Sequence, residues 1–447
     1  MAESLRSAVI WASDAVWGPW TPALLLGTGV FLTLRYRCVQ LTRLREALAA
    51  MRSRTEDGAE GALSPFQAFM TGLAGSVGTG NIAGVATAIV AGGPGAVFWI
   101  WCYGFFATVI KLSEAMLAIR YRAVDAGTLS AGPMHYLERG LGSRALGWTY
   151  ALVAGVAALT TTPFTQPNSI AVVFESELGL APWVTGVALA LLAWLVLLGG
   201  VQSVGKAAER LAPAMVGLYL AGGLAVMACF ADRLPGVLAL IVREAFSLEA
   251  AGGGAAGVGM MAAMRYGLAR GIYANEAGYG TAAVAYGAAR TTRPIQQGLN
   301  AVMEVYVVSF VTSSISALTI LVSGVQGSGA NSTALVAEAF EAALPFGGLL
   351  VLVCALLFGY TTLIGWGYYG ERFFAYVAGE GVVLPFRWIY CCLIVLGATR
   401  SVELVWAWGD LMNGLQIFPN LVGVLGLSGV VAAMLREAPR ARPSGGR

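Results

Sequence analysis

Long apolar runs separated by short polar loops dominate this chain. Eleven segments can be marked, at roughly 14–35, 65–90, 95–120, 146–175, 182–201, 208–231, 257–287, 298–324, 345–369, 385–402 and 411–435. A helix needs about 20 mostly apolar residues to cross the hydrocarbon core of a bilayer. The segments have that length and lack the period-2 alternation of a transmembrane β-barrel. No water is available in lipid, so each backbone N–H and C=O must pair within its own segment. The expected fold is therefore an all-α polytopic membrane protein of about 11 transmembrane helices. Composition agrees: 57% of the 447 residues are hydrophobic and 11% charged, against about 25% charged in soluble domains.

The basic residues set an expected orientation. With the N-terminus outside, the loops on the cytoplasmic side hold 21 Lys and Arg, counting Lys111 among them. The outer side holds Arg6, Arg233, Arg243 and Arg400. This bias follows the positive-inside rule and places the C-terminus in the cytoplasm. Residues 1–14 have no basic stretch leading into an apolar core and a small-residue cleavage site, so the first span is expected to stay in the mature chain. The six cysteines form no C-x-x-C pair and the single histidine, His135, reads as a loop residue, so neither a metal cluster nor a disulfide framework is expected. No nucleophile–base pair, phosphate loop or nucleic-acid motif emerges, and the chain is read as a non-enzyme without cofactor.

Two spans are interrupted by glycine. The second carries Gly72, Gly75, Gly78, Gly80 and Gly84, and the seventh carries Gly267, Gly271, Gly278 and Gly280 around Asn275-Glu276-Ala277. With the first span set aside, these two open successive sets of five. Interrupted helices at matching places in two halves point to a carrier built from inverted repeats. The expected organisation is an extra N-terminal helix and basic loop (1–60), a first five-helix repeat (61–235), a second (236–437) and a short basic tail (438–447).

At Gly75-Ser76-Val77-Gly78-Thr79-Gly80-Asn81, unwinding would free N–H groups suited to a carboxylate and carbonyls suited to a hard cation. The plainer alternative is close helix packing through Gly80-x-x-x-Gly84. Glu276 is an ionisable residue inside an apolar span, which marks a functional group, or else a structural ion pair with Arg270 or Arg265. Thr160 to Ser169 forms a polar stretch with two prolines, in which Gln166 and Asn168 supply donors and acceptors. Thr361 and Thr362 offer hydroxyls to a cation, and Trp366 stands one turn further on as a bulky wall. Lys111 and Glu114, and Arg400 and Glu403, read as helix-end pairs at i, i+3.

These motifs together resemble the alanine or glycine:cation symporters, also called the sodium:alanine symporters. The likeness is carried by Leu73 through Gly80-Asn81-Ile82-Ala83-Gly84 to Trp99, by Gly132-Pro133-Met134-His135-Tyr136-Leu137-Glu138, by Arg270 to Gly278 with Pro294 to Gly298, by Thr361 to Arg372 and by Pro419-Asn420-Leu421. The resemblance implies a five-plus-five inverted-repeat core and symport of a small neutral amino acid, alanine or glycine, with Na⁺ as coupling ion. It implies that the Ala74 and Val77 carbonyls and the Thr361 and Thr362 hydroxyls hold Na⁺. Backbone groups of Ser76, Gly78, Thr79 and Gly80 would take the substrate carboxylate, Gln166 and the break near Tyr273 to Asn275 would orient the amino group, and Asn81 and Gly278 complete the implied substrate-binding set. Tyr273 and Trp366 would cap the side-chain space. The chain departs from the family pattern at His135, Tyr273, Ala274, Tyr279, Thr281 and near Gln416. A proton-coupled carrier of the same fold, with Glu276 as relay, is the alternative reading. A channel would want a repeated filter, and a receptor an output domain. The partners expected are a small amino acid, Na⁺ and the lipid bilayer, with the number of copies left open.

Overall fold

The computed structural model describes residues 2–53, 55–56, 58–125, 128–247, 258–399 and 402–438. Within these residues the chain is a helix bundle with one small antiparallel hairpin, β1 (Ala123–Asp125) and β2 (Thr128–Ser130). The main helices are α1 (Ala2–Val16), α2 (Trp20–Arg35), α3 (Pro65–Ser76), α4 (Ala83–Gly92), α5 (Ala96–Tyr121), α6 (Arg144–Thr160), α7 (Thr162–Leu178), α8 (Pro182–Leu198) and α9 (Gly200–Cys229). They continue with α10 (Val258–Asn275), α11 (Ala283–Gly287), α12 (Pro294–Tyr306), α13 (Ser313–Ser323), α14 (Gly347–Ala378), α15 (Val383–Ala398), α16 (Val402–Gly426) and α17 (Ser428–Glu437).

Seven helices among the described residues are long and apolar enough to cross a membrane, or nine when two bent pairs count as spans. The pair α3 and α4 bends by 58° across the first glycine cluster. The eleventh expected segment bends by 50° at its end, between α16 and α17. Two expected spans lie outside this tally: α8 is apolar but has 17 residues, and segment 257–287 is split into α10 and α11. The structure also adds helices at Ala2–Val16, Leu234–Ala245 and Ser332–Glu341 that apolar runs alone did not mark.

The N-terminus of α3 shows how local chemistry sets an element. Ser64 and Gln67 form a reciprocal capping box, and Pro65 occupies the first helical position, where its missing N–H costs nothing. The long helix α5 runs through the centre, packing against α2, α10 and α12. Lipid-compatible residues such as Trp183, Leu191, Leu195 and Trp388 stay exposed on the outside, as expected where lipid tails replace a buried core.

Three expectations are corrected. Lys111 and Glu114 are not a helix-end pair at an interface: Lys111, Glu114 and Glu304 are all essentially inaccessible, and Lys111 Nζ pairs with Glu304 Oε1 at 2.7 Å. Lys111 therefore leaves the loop tally, which still favours the same side. His135 is not a loop residue; it is buried in the short helix Pro133–His135, with Nε2 2.7 Å from Ser130 Oγ. Arg265, one of the two ion-pair partners offered for Glu276, pairs with Asp14 instead, and the Glu276 carboxylate accepts from Trp366 and Thr281. The expected Arg400–Glu403 pair and most of the 438–447 tail lie outside the described residues and side chains.

Candidate functional site

The first break begins where α3 stops at Ser76. Val77 leaves the helical region, Gly78 is extended, and a 3₁₀ turn spans Thr79–Asn81 before α4 begins. The Ala74 carbonyl loses its helical partner because the Gly78 N–H turns to Ser76 O at 3.0 Å. Thr362 of α14 fills the gap. Its Oγ1 lies 3.1 Å from Ala74 O, 3.4 Å from Val77 O and 3.0 Å from Phe358 O. One hydroxyl proton cannot satisfy three carbonyls at once. The resulting set of four neutral oxygens has the chemistry a hard monovalent cation takes from a protein.

Thr361, the neighbouring hydroxyl, is placed elsewhere. It bonds Leu357 O and Phe358 O of its own helix and approaches Met215 Sδ at 3.4 Å. Phe358 O joins the oxygen set instead. Sequence reasoning missed it because a carbonyl carries no side-chain signature; its only trace is the i−4 spacing from Thr362.

The second break is held from four directions. Glu276 has φ 54°, and Gly278 and Gly280 have φ 96° and 77°. Left-handed backbone is ordinary for glycine but disfavoured for glutamate. Side chains account for its loose ends. Tyr103 donates to Ala277 O at 2.8 Å and Tyr150 to Tyr279 O at 2.7 Å. The Gly278 N–H donates to Glu114 Oε1 at 2.9 Å, and Asn420 Nδ2 donates to Gly278 O at 2.8 Å and to the same Glu114 oxygen at 2.7 Å. Within the break, the Ala277 N–H donates to Asn275 Oδ1 at 3.0 Å. The glutamate is anchored by its own carboxylate: Trp366 Nε1 donates to Oε1 at 2.8 Å and the Thr281 hydroxyl to Oε2 at 3.1 Å.

Between the breaks lies a small cavity. Gly75, Ser76, Gly78 and Gly80 line it from the first break, Tyr273, Ala274, Glu276 and Tyr279 from the second, and Thr161, Thr162 and Gln166 from the α6–α7 junction and α7. Thr362 and Trp366 of α14 and Asn413 of α16 complete the wall. Its volume of about 20 Å³ is on the scale of one water, so an amino acid enters only when the surrounding helices part. Gln166 Oε1 accepts from the Thr79 N–H at 3.0 Å and the Thr79 hydroxyl at 2.9 Å. The Tyr273 ring lies against Gly80, where a Cβ would stand 2.9 Å from it, and its hydroxyl reaches Thr165 Oγ1 at 3.3 Å.

Of the expected substrate residues, the structure brings Ser76, Gly78, Gly80, Gln166, Tyr273 and Trp366 to one cavity. Thr79 stands behind its wall through Gln166. Asn81 faces away: its Nδ2 donates to Ser76 O, and its Oδ1 accepts from Ser313 at 3.1 Å, on the span that follows α12. Asn275 donates to Ser309 and caps Ala277, and Gly278 is held by Glu114 and Asn420. Thr161, Thr162 and Asn413 are additions, legible only as polar residues within apolar spans.

A sequence-family comparison matches residues 2–445 to the sodium:alanine symporter family. The chain belongs to that family. It is 39% identical over 437 residues to the sodium/alanine symporter AgcS of Methanococcus maripaludis, covering 96% of both chains. It is 33% identical over 454 residues to the probable sodium/glutamine symporter GlnT of Bacillus subtilis, covering 100% of this chain and 93% of that one. A putative sodium/proton-dependent alanine carrier, YrbD, from the same organism is 32% identical over 466 residues, covering 100% of this chain and 94% of its own. Among solved structures, MhsT in complex with L-phenylalanine superposes with a TM-score of 0.61 at 11% identity, covering 85% of this chain and 96% of that one. That likeness shows a shared fold. The protein is a multi-pass membrane transporter and not an enzyme.

Proposed function

We propose that this symporter carries alanine or glycine together with Na⁺, by alternating access around the cavity between the two helix breaks. The observation that carries the reading is the meeting of Thr362 Oγ1 with the Ala74 and Val77 carbonyls on the wall of a cavity that Trp366 and Tyr273 keep small. Na⁺ at that oxygen set would tie α3 to α14. In the Gly78–Gly80 turn the Gly78 N–H is held by Ser76 O and the Thr79 N–H by Gln166 Oε1, so a substrate carboxylate would take the Thr79 N–H in exchange for Gln166, at the start of the following half-helix. Binding of both would stabilise one arrangement of the bundle over another.

The wider architecture follows the same reading: eleven spans, an extra first helix, repeats over 61–235 and 236–437, an inner-membrane location and an outer N-terminus. The breaks at the head of each repeat and the basic bias of the loops support it.

Proton coupling is the second reading, because Glu276 lines the cavity and an intramembrane carboxylate is the usual proton relay. A competition panel of neutral amino acids in proteoliposomes, with and without Na⁺ at constant pH, decides between them. Na⁺-dependent uptake inhibited by alanine and glycine is expected. Uptake indifferent to Na⁺ overturns the proposal in favour of Glu276.

A further inference from the structure

Ser76, which lines the cavity, also belongs to a second meeting of the two breaks. The α3 helix ends at Ser76 and α10 at Asn275, so two helix C-termini, each with partial negative charge, converge there. Glu304 of α12 adds a full charge with no exposure to solvent. Lys111 of α5 sits among them. Its Nζ is 2.6 Å from Asn275 O, 2.7 Å from Glu304 Oε1 and 2.9 Å from Ser76 Oγ. The three ammonium protons thus meet three oxygens.

The surroundings are built to hold this arrangement. The Ser76 hydroxyl donates to Glu304 Oε1 at 2.5 Å, and the Tyr286 hydroxyl donates to Oε2. A Cβ at Gly72 would stand 3.0 Å from Glu304 Oε2, so glycine leaves room for the carboxylate. A backbone carbonyl, a hydroxyl and a carboxylate directed at one point make an oxygen set that a hard cation would otherwise fill.

We propose that the Lys111 ammonium is a built-in cation that takes an ion's place between the two helix breaks, so that one Na⁺, at Thr362, suffices for each transport cycle. The inference rests on the Na⁺-coupled reading above. The ammonium is tethered to α5, so it ties both breaks to that helix in every state and never dissociates. The ion at Thr362, held by neutral oxygens alone, is free to bind and leave. Lys111 is thus a positioning residue whose charge sets the number of coupling ions.

The test is Na⁺ activation of alanine uptake in proteoliposomes. The unmodified protein should show a Hill slope of one and carry one ²²Na⁺ per alanine. In Lys111→Met, Glu304 is left uncompensated and recruits Na⁺, so the slope should rise toward two and half-activation should need at least about fivefold more Na⁺. In the charge-neutral pair Lys111→Met with Glu304→Gln, the slope should return to one. A Lys111→Met protein with the parental slope and half-activation overturns the proposal. If that variant does not assemble, the parental flux ratio decides: one Na⁺ per alanine supports the proposal and two overturns it. Parental uptake without Na⁺ dependence is a different result, since it overturns the coupled reading itself.

Discussion

Trp366 Nε1 donates to Glu276 Oε1 across 2.8 Å, joining a wall of the cavity to the one non-glycine residue of the second break with a left-handed backbone. The bond fixes the indole and holds the glutamate in a conformation that costs roughly 1–2 kcal/mol on its own. Glu276→Gln keeps an acceptor for the indole and should retain substrate affinity within about threefold. Glu276→Ala loses both bonds and should weaken it by about tenfold or more. Substrate binding to purified protein checks the pair. Equal losses in both variants would show that the charge, not the anchoring, matters.

The Trp366 indole lines the cavity beside Glu276, and under the proposed function it would limit the space for the substrate side chain. Trp366→Ala opens the wall beside Glu276 and should let larger neutral amino acids compete with alanine, with Ki values for leucine or methionine falling by about tenfold. If larger amino acids still fail to compete, Trp366 is not the limit.

The two threonines of α14 should separate cleanly. Thr362→Ala removes the hydroxyl between Ala74 O and Val77 O and should raise the Na⁺ needed for half-maximal uptake by about tenfold. Thr361→Ala removes a hydroxyl that bonds only its own helix and touches Met215, and should change that value less than about twofold. A matched shift in both would return Thr361 to the oxygen set.

The glycines of the first break also divide. A methyl at Gly78 would stand 2.8 Å from Thr362 Oγ1, whereas one at Gly84 meets nothing nearer than Arg270 Cδ at 3.6 Å. Gly78→Ala should abolish Na⁺-activated uptake, and Gly84→Ala should leave melting temperature and uptake close to parental. Severe loss in Gly84→Ala would restore the close-packing reading of Gly80-x-x-x-Gly84.

On the side of the α3 N-terminus, Glu56 clamps the loop ahead of α12. Burial pushes its pKa up, but hydrogen bonds from the Thr292 N–H and hydroxyl and from Arg293, with the arginine charge, outweigh this and bring it from 4.5 to about 2. A depressed carboxylate stabilises the folded state above its unfolded pKa and loses that contribution as pH falls from about 4.5 toward 2. Between pH 5 and 9 the clamp should therefore be constant, and Glu56→Gln should leave the shape of the pH profile of uptake unchanged over that range. A profile altered by this substitution would show that Glu56 titrates during transport.

Sequence alone determined the class of molecule and the places where its helices break. Apolar runs of membrane length leave the backbone no choice but helix, and glycine clusters mark the points where that helix fails. The long motifs around Gly80-Asn81, Arg270 to Gly278 and Thr361 to Arg372 placed the chain in its family. Tertiary structure decided which residues meet across each break. Thr361 and Thr362 are adjacent in sequence, yet successive helical residues point about 100° apart, and only Thr362 faces Ala74 and Val77. Lys111 and Glu114 look like a local pair at i, i+3, but Lys111 is committed to Glu304, far along the chain, and Glu114 to Gly278 and Asn420. Buried charge must find its partner in three dimensions, and partners of that kind leave no trace in local spacing.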